Sequence, residues 1–335
     1  SEHHENLQQQ QPFRLAIDRS FNVKGAGVVI TGTAHSGTVN TEERLHHYPS
    51  GQLVRVRGIR TQDQEATTAQ SGERCALNIA GLELADIQRG DWLTATPPAG
   101  YKTLSLKLQV GEGFPRAVKH WTPVHAYHAT HHSQGRIALA PGQRLEPGQT
   151  ARIDLVLEEP IYCHRNDRLI LRDHGLDTTL GGGTVIFADA TVPHRRHDAT
   201  RQQHINAYSL ANPEDSLSAL LQIGVIDLKH FRDFWHLSAG DYTTLLEKHT
   251  LHRNDDFALS DEHWLAHKTA LVEQFESQPD QAPRENQLHS AIPPTFRQPL
   301  LNELVNEKIL SHTGGEYRLL GQTIKLPDHL VKLWD

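Results

Sequence analysis

The side chains with a chemical use in this sequence are few and widely spaced. Asp18 and Arg19 form a charged pair just past an apolar run in the stretch from Phe13 to Thr33, FRLAIDRSFNVKGAGVVITGT. Lys24-Gly25-Ala26-Gly27 offers a glycine pair, and His125-x-x-His128-x-x-His131-His132 a run of imidazoles. Arg55, Arg57 and Arg60 alternate along one segment, and Arg195-Arg196 is a basic doublet. A dinucleotide cradle needs a third glycine and a following helix, and no G-x-x-x-x-G-K-[ST] loop occurs, so Gly25-x-Gly27 reads as a hairpin turn. Strand alternation sends residues 125, 128 and 131 to opposite faces, with no cysteine or carboxylate frame around them, so no metal site is expected. No G-x-S-x-G elbow is present, and no catalytic residue is assigned. Arginines on one face suit the phosphates of a nucleic acid, which makes Arg55, Arg57, Arg195 and Arg196 candidate RNA-backbone contacts, although solvated surface arginines are commoner. Taken alone, Asp18 and Arg19 read as a surface ion pair of little energetic consequence.

The elements that must position these residues are strands first and helices later. Residues 1–11 are polar and glutamine-rich and read as a linker. From 12 to 99, short apolar segments at 14–17, 28–33, 53–59, 75–79 and 91–96 recur between turn signals at Gly37, Pro49-Ser50-Gly51, Ser71-Gly72 and Arg89-Gly90-Asp91. That spacing predicts a small closed β-barrel. A second barrel is predicted over 100–192, with strands at 104–110, 124–128, 136–140, 151–157, 168–171 and 184–187 and with Gly181-Gly182-Gly183 as one of its turns. After Pro193 the apolar spacing becomes helical, as in Leu217, Leu220, Leu221 and Leu228, Phe231, Phe234, Trp235. Three helices and a short β-wing predict a winged helix over 193–262. A second follows over 263–325, with a short helix at 285–292 and a longer one at 294–309. Residues 326–335 read as the start of a third such module. The expected fold class is therefore multidomain, β then α: two consecutive β-barrels followed by tandem winged helices.

Composition limits the function classes. The 335 residues carry a formal charge of −7, so no global positive field advertises nucleic acid, and any RNA contact must come from local patches. Twenty-four histidines make the charge sensitive to mild acid. No apolar run approaches the roughly 20 residues of a membrane helix, and the polar start has no signal-peptide core, so a cytoplasmic protein without a membrane partner is expected. Cys75 and Cys163, the two cysteines, sit in apolar strand-like runs and are expected as core thiols. The absence of methionine and the serine at position 1 suggest a fragment or processed chain.

The stretch FRLAIDRSFNVKGAGVVITGTAHSG, together with SGERCALNIAGLELADIQRGDWL at 71–93, resembles the second domain of translational GTPases. Among these it is most similar to the selenocysteine-specific elongation factors of bacteria. NDRLILRD at 166–173 is similar to that family's third domain, and the winged-helix repeats complete the domain order. Elongation factor Tu shares the two barrels but not the tail. The alternatives are accordingly a factor of the elongation factor Tu type, or a winged-helix nucleic-acid-binding regulator. The resemblance implies that the first barrel holds the aminoacyl end of selenocysteinyl-tRNA, with Asp18, Arg19 and Arg74 lining the aminoacyl pocket. Arginines, always protonated, would favour a selenolate over a neutral hydroxyl, with Asp18 fixing Arg19 by a charge-assisted hydrogen bond. It also implies the ribosome and a selenoprotein mRNA hairpin as partners. GTP and Mg²⁺ would belong to a GTPase domain that the sequence does not contain, so no cofactor is assigned to this chain. One departure is local: Asn40-Thr41-Glu42-Glu43 lacks the Gly-Asp usual at that turn.

Overall fold

The computed structural model describes residues 9–175, 178–193, 198–278, 282–288 and 292–320. The first barrel is built from β1 (Arg14–Val23), β2 (Gly27–Ser36), β3 (Thr38–Asn40), β4 (Arg44–Tyr48), β5 (Leu53–Thr61), β6 (Gln64–Ala66), β7 (Thr68–Gln70), β8 (Arg74–Ala80) and β9 (Trp92–Thr94). The order β4-β9-β1-β2-β8-β5 closes through β4–β5, β6 extends it beside β5, and β3 and β7 pair separately. Alternation along β2 and β8 puts Val28, Ile30 and Ala34 inside with Cys75, Leu77 and Ile79. Each large apolar side chain in that core contributes about 1.5–3 kcal/mol. Gly37, Gly51, Gly72 and Gly90, the expected breakers, all take positive φ in turns. The turn at residues 40–43 forms without glycine: Glu42 adopts φ 71°, its N–H donating to the Val56 carbonyl at 2.7 Å.

The second barrel comprises β10 (Tyr101–Val110), β11 (Thr122–His128), β12 (His131–Ala138), β13 (Thr150–Ile161), β14 (Arg168–Asp173) and β15 (Thr179–Asp189), closed in the order β10-β13-β12-β11-β14-β15. Gly181-Gly182-Gly183 is not a turn. It lies inside β15, where a Cβ at Gly181 would stand 2.1 Å from the Gln109 carbonyl oxygen and one at Gly183 3.1 Å from Leu106 Cδ1. These glycines permit close approach of β10 to β15 rather than a reversal.

Helices follow: α1 (Ala199–Tyr208), α2 (Pro213–Ile223), α3 (Leu228–Trp235) and α4 (Ala239–Glu247), with a sheet of β16 (Ile226–Asp227), β17 (Leu251–Asn254) and β18 (Phe257–Ser260). The second repeat has α5 (Asp261–Ser277), α6 (Pro294–Asn306) and the hairpin β19 (Leu310–Thr313) with β20 (Glu316–Leu319). Ser260 caps α5 by accepting the His263 N–H, and Trp264, Leu271, Phe275, Phe296, Leu300 and Leu304 form the core beneath. The predicted helix at 285–292 is only a 3-10 turn, Glu285–Gln287, with Leu288 and Ile292 buried after it. Residues 326–335 lie outside the described residues. Helix α1 was not expected, because ATRQQHINAY has no apolar period. No helix among the described residues is long and apolar enough to cross a membrane.

The chain divides into two compact units. One holds the described residues through Ser216, both barrels and α1 included, with Arg232–Thr244; the other holds Leu217–Phe231 and the described residues from Leu245 onward. Within the first unit the barrels meet at a buried ion pair. Arg14 donates from both terminal nitrogens to Asp167 at 2.7 Å each, and Asp167 also accepts the His164 N–H at 2.9 Å and faces His128 Nε2 at 3.0 Å. Trp92 stacks on His128 and edges against Tyr162. His236 reaches the same interface, its Nε2 2.8 Å from both Ser36 Oγ and the Pro12 carbonyl oxygen.

His236 stands just past α3 at φ 55°, where helices usually end in glycine. His236→Gly would relieve a left-handed conformation costing about 1–2 kcal/mol. It would also delete a buried ring and its polar contacts, so a net loss of about 1–2 kcal/mol is expected in denaturant titration. A glycine variant as stable as the parent would mean that His236 only terminates the helix.

Candidate functional site

The β1–β2 hairpin turns at Gly25 and Gly27, both at positive φ, and continues as a strand, not a helix. Nothing lies within 4 Å of a Cβ placed on either glycine, so their role is the positive φ of the turn. Further down the hairpin the pairing runs Ile17↔Gly32 and then Arg19↔Thr31, so Asp18 is an extra residue on β1. Gly32 explains the spot: a Cβ there would lie 2.2 Å from the Ala16 carbonyl oxygen and 2.7 Å from Leu15 Cδ2. The two strands press together at Gly32, and the next residue of β1 bulges. A bulge re-aims side chains, and here it turns Asp18 toward the outward face of β2.

Arg74 opens β8 opposite Thr33. The Arg74 guanidinium lies 2.9 Å from Asp18 Oδ2, and Thr31 Oγ1 donates to Asp18 Oδ1 at 2.5 Å. This corrects the expected Asp18–Arg19 bond. Asp18 pairs across two strands with Arg74, while Arg19 points out exposed beside it. The Asp18 carboxylate is mostly covered, whereas the Arg74 side chain is 56% exposed and keeps donors for an incoming group.

Arg74 borders a groove of about 1160 Å³ on the outer wall of the first barrel, lined also by Phe21, Val23, Thr31, Arg57 and Arg60. Arg57 therefore reaches the groove, and a register shift after Val56 brings Arg60 to the same side. Arg60 donates to the Asp63 carbonyl at 2.7 Å. Arg55 lies off the groove and pairs with Glu42 at 3.4 Å, and Arg195 and Arg196 lie outside the described residues. The floor includes Cys75, whose thiol burial pushes up to about 12, so it is no nucleophile at neutral pH. The guanidiniums of Arg57, Arg60 and Arg74 share the lining with Phe21 and Val23 and also with Asp63, Glu65 and Glu73, so an anionic group would be met at the arginine positions rather than by a uniformly positive wall. Thr31 and Arg60 were missed from the sequence. Thr31 could have been found from the outward parity of β2, but its role depends on the bulge.

The imidazole run does not alternate along one strand as expected: it is split over the β11–β12 hairpin, where His128 and His131 pair in register and share a face. His128 is buried against Asp167, while His125 and His132 meet on an outer face at 2.8 Å with His174 stacked on His125. Among the described residues no group of three or more His, Cys, Asp or Glu is arranged to hold a metal. Cys75 and Cys163 are free, buried thiols.

Comparison with known proteins gives two matching family models. Residues 27–94 match elongation factor Tu domain 2, and residues 105–192 match the β-barrel domain of selenocysteine-specific elongation factor. The selenocysteine-specific elongation factor of Escherichia coli K12 is 37% identical over 241 residues, covering 71% of this chain and 37% of that protein. The Haemophilus influenzae factor is 32% identical over 214 residues, covering 64% and 34%. The chain thus spans little more than a third of these relatives. A crystal structure of bacterial selenocysteine-specific elongation factor EF-Sec superposes with a TM-score of 0.70 at 20% identity, over 99% of this chain and 53% of that one, which establishes a shared fold. Sequence, domain order and fold agree: the chain belongs to the selenocysteine-specific elongation factors, of which it carries the two β-barrels and a winged-helix tail.

Proposed function

We propose that the first barrel receives the aminoacyl end of selenocysteinyl-tRNA in the groove beside Arg74, within a factor that brings this tRNA to the ribosome at recoded UGA codons. The observation that carries the reading is the convergence of Asp18, Thr31 and Arg74, from three strands, with Thr31 and Arg74 lining the groove. A selenol, more acidic than a thiol, is an anion near neutral pH, and an always-protonated guanidinium discriminates it from the uncharged serine hydroxyl. Asp18 keeps Arg74 in place, and Arg19, exposed on β1 and outside the groove lining, would have to approach the ligand from outside the groove. Arg57 is placed to meet the RNA backbone along the same wall, and Arg55 lies on its flank.

GTP and Mg²⁺ would act in the family's GTPase domain. The barrels occupy 12–99 and 100–192, and the winged-helix modules 193–262 and 263–325 lead toward the selenoprotein mRNA hairpin. The setting is the cytoplasm. The test is protection of the aminoacyl ester from hydrolysis, measured for selenocysteinyl- and seryl-tRNA with the chain carried in a full-length factor. Arg74→Ala is expected to narrow the discrimination between them by about 10- to 100-fold, the worth of a charge-assisted hydrogen bond. Unchanged discrimination would remove Arg74 from the pocket.

A further inference from the structure

Three facts about β2 bear on how the Arg74 guanidinium is aimed. Thr31 pairs with Arg19 on one side and with Ala76, two residues past Arg74, on the other, so it stands between the two strands that carry the charges. Its hydroxyl donates to Asp18 Oδ1 at 2.5 Å, and Arg74 Nη2 straddles the same carboxylate, 2.9 Å from Oδ2 and 3.2 Å from Oδ1. Gly32, next in the chain, allows the close approach that throws Asp18 out of register onto the face of Thr31. A carboxylate tied only to a half-exposed arginine would move with it. Tied also to a β-branched residue in the middle of a barrel strand, whose side chain has few rotamers, it becomes a fixed anchor. Arg74 makes no other side-chain bond to the described residues, so the anchor decides where its remaining N–H groups point.

We infer that Thr31 is a positioning residue for charge discrimination: its hydroxyl locks Asp18, and Asp18 holds the Arg74 guanidinium with its unused donors toward the groove. The inference rests on the proposed selenocysteinyl pocket and adds a residue that makes no contact of its own with the selenium. It predicts a selective effect. Loss of the hydroxyl should cost the anionic ligand and spare the neutral one, because serine draws nothing from the aim of a guanidinium. A side chain that merely supports the strand would weaken both alike.

The experiment measures binding of selenocysteinyl-tRNA and seryl-tRNA to a full-length factor carrying this chain, in the parent and in Thr31→Val, Thr31→Ala, Thr31→Ser and Arg74→Ala. Thr31→Val and Thr31→Ala are expected to weaken selenocysteinyl-tRNA by about 5- to 20-fold and to leave seryl-tRNA within about twofold, less than for Arg74→Ala because Thr31 acts on the ligand only through Asp18. Thr31→Ser, which restores the hydroxyl, should return selenocysteinyl-tRNA to within about threefold of the parent. If Arg74→Ala narrows the discrimination but both Thr31 variants leave it unchanged, or weaken both ligands equally, the positioning role is overturned and the pocket stands. If Arg74→Ala itself leaves discrimination unchanged, the pocket reading falls and the inference falls with it.

Discussion

Asp167→Ala is expected to destabilise the two-barrel unit by about 3–5 kcal/mol, the cost of stranding one partner of a buried ion pair. Asp167 is buried and serves four donors or rings: both terminal nitrogens of Arg14, the His164 N–H and His128. Burial alone would raise its pKa, but the charges of Arg14 and His128 and their hydrogen bonds hold it well below the usual carboxylate range. Arg14 is pulled up in turn by Asp167, against a burial that would otherwise lower it. Removing the carboxylate leaves a nearly buried guanidinium beside Trp92 without its anionic partner. For a unit of this size the expected loss corresponds to roughly 6–20 °C in Tm. The loss should be much smaller when Arg14→Met accompanies Asp167→Leu, since two apolar side chains of similar size strand no charge. Thermal unfolding and denaturant titration of both variants check this. A loss under about 1 kcal/mol for Asp167→Ala would mean that the pair is hydrated and the barrels do not depend on it.

The ion pair also shows where the sequence stops being readable. The barrels were legible because Val28, Ile30, Cys75, Leu77 and Ile79 alternate cleanly and because glycines stand where turns need positive φ. Alternation and turn chemistry are local, and local signals survive in a sequence. Arg14 and Asp167 are 153 residues apart and belong to different barrels, so nothing local marks them as partners. Residues 181–183 misled for a related reason. Glycine allows both a reversal and a close approach, and only the neighbouring strand, with the Gln109 carbonyl 2.1 Å from a Cβ at Gly181, decides between them. At the groove, the resemblance supplied Asp18, Arg19 and Arg74. It did not supply their pairing, because the bulge at Asp18 depends on Gly32 pressing against Ala16 across the hairpin. Helix α1 was invisible from its own residues: Ile205, Ala207 and Tyr208 bury late in a polar stretch, and Asp198 caps its start.

Acid is expected to unfold the same unit well above the pH at which carboxylates ordinarily titrate. Three imidazoles near the ion pair are held neutral. Burial lowers His35 to about 4, helped by the Arg14 charge, and lowers His236 to about 3 for the same reasons. His164 is pushed well below 6.5 by burial, by His236 and by Arg14. All three values are depressed in the fold, so the unfolded chain binds more protons throughout the window from about 6.5 downward. Above 6.5 neither state is protonated and the rings contribute nothing to the pH dependence. Below it stability falls by up to about 1.4 kcal/mol per pH unit for each ring, until pH reaches the depressed value. Asp167 joins below about 3.8, where its own depressed value makes protonation of the unfolded chain favourable. By pH 5 each ring that stays neutral in the fold has cost up to about 2 kcal/mol, so the three together remove several kcal/mol. That is comparable with the whole stability of an ordinary domain. Denaturant titration at pH 7.5, 6.5, 5.5 and 5.0 measures the slope, with fluorescence from Trp92 inside the interface as a local probe. His236→Gln should flatten the slope by about one ring's share, about 1.4 kcal/mol per pH unit, because glutamine does not titrate in this range. A stability that stays level between pH 7 and 5 would mean that the folded interface accepts these protons. The neutral cage around Arg14 and Asp167 would then not be what holds the barrels together.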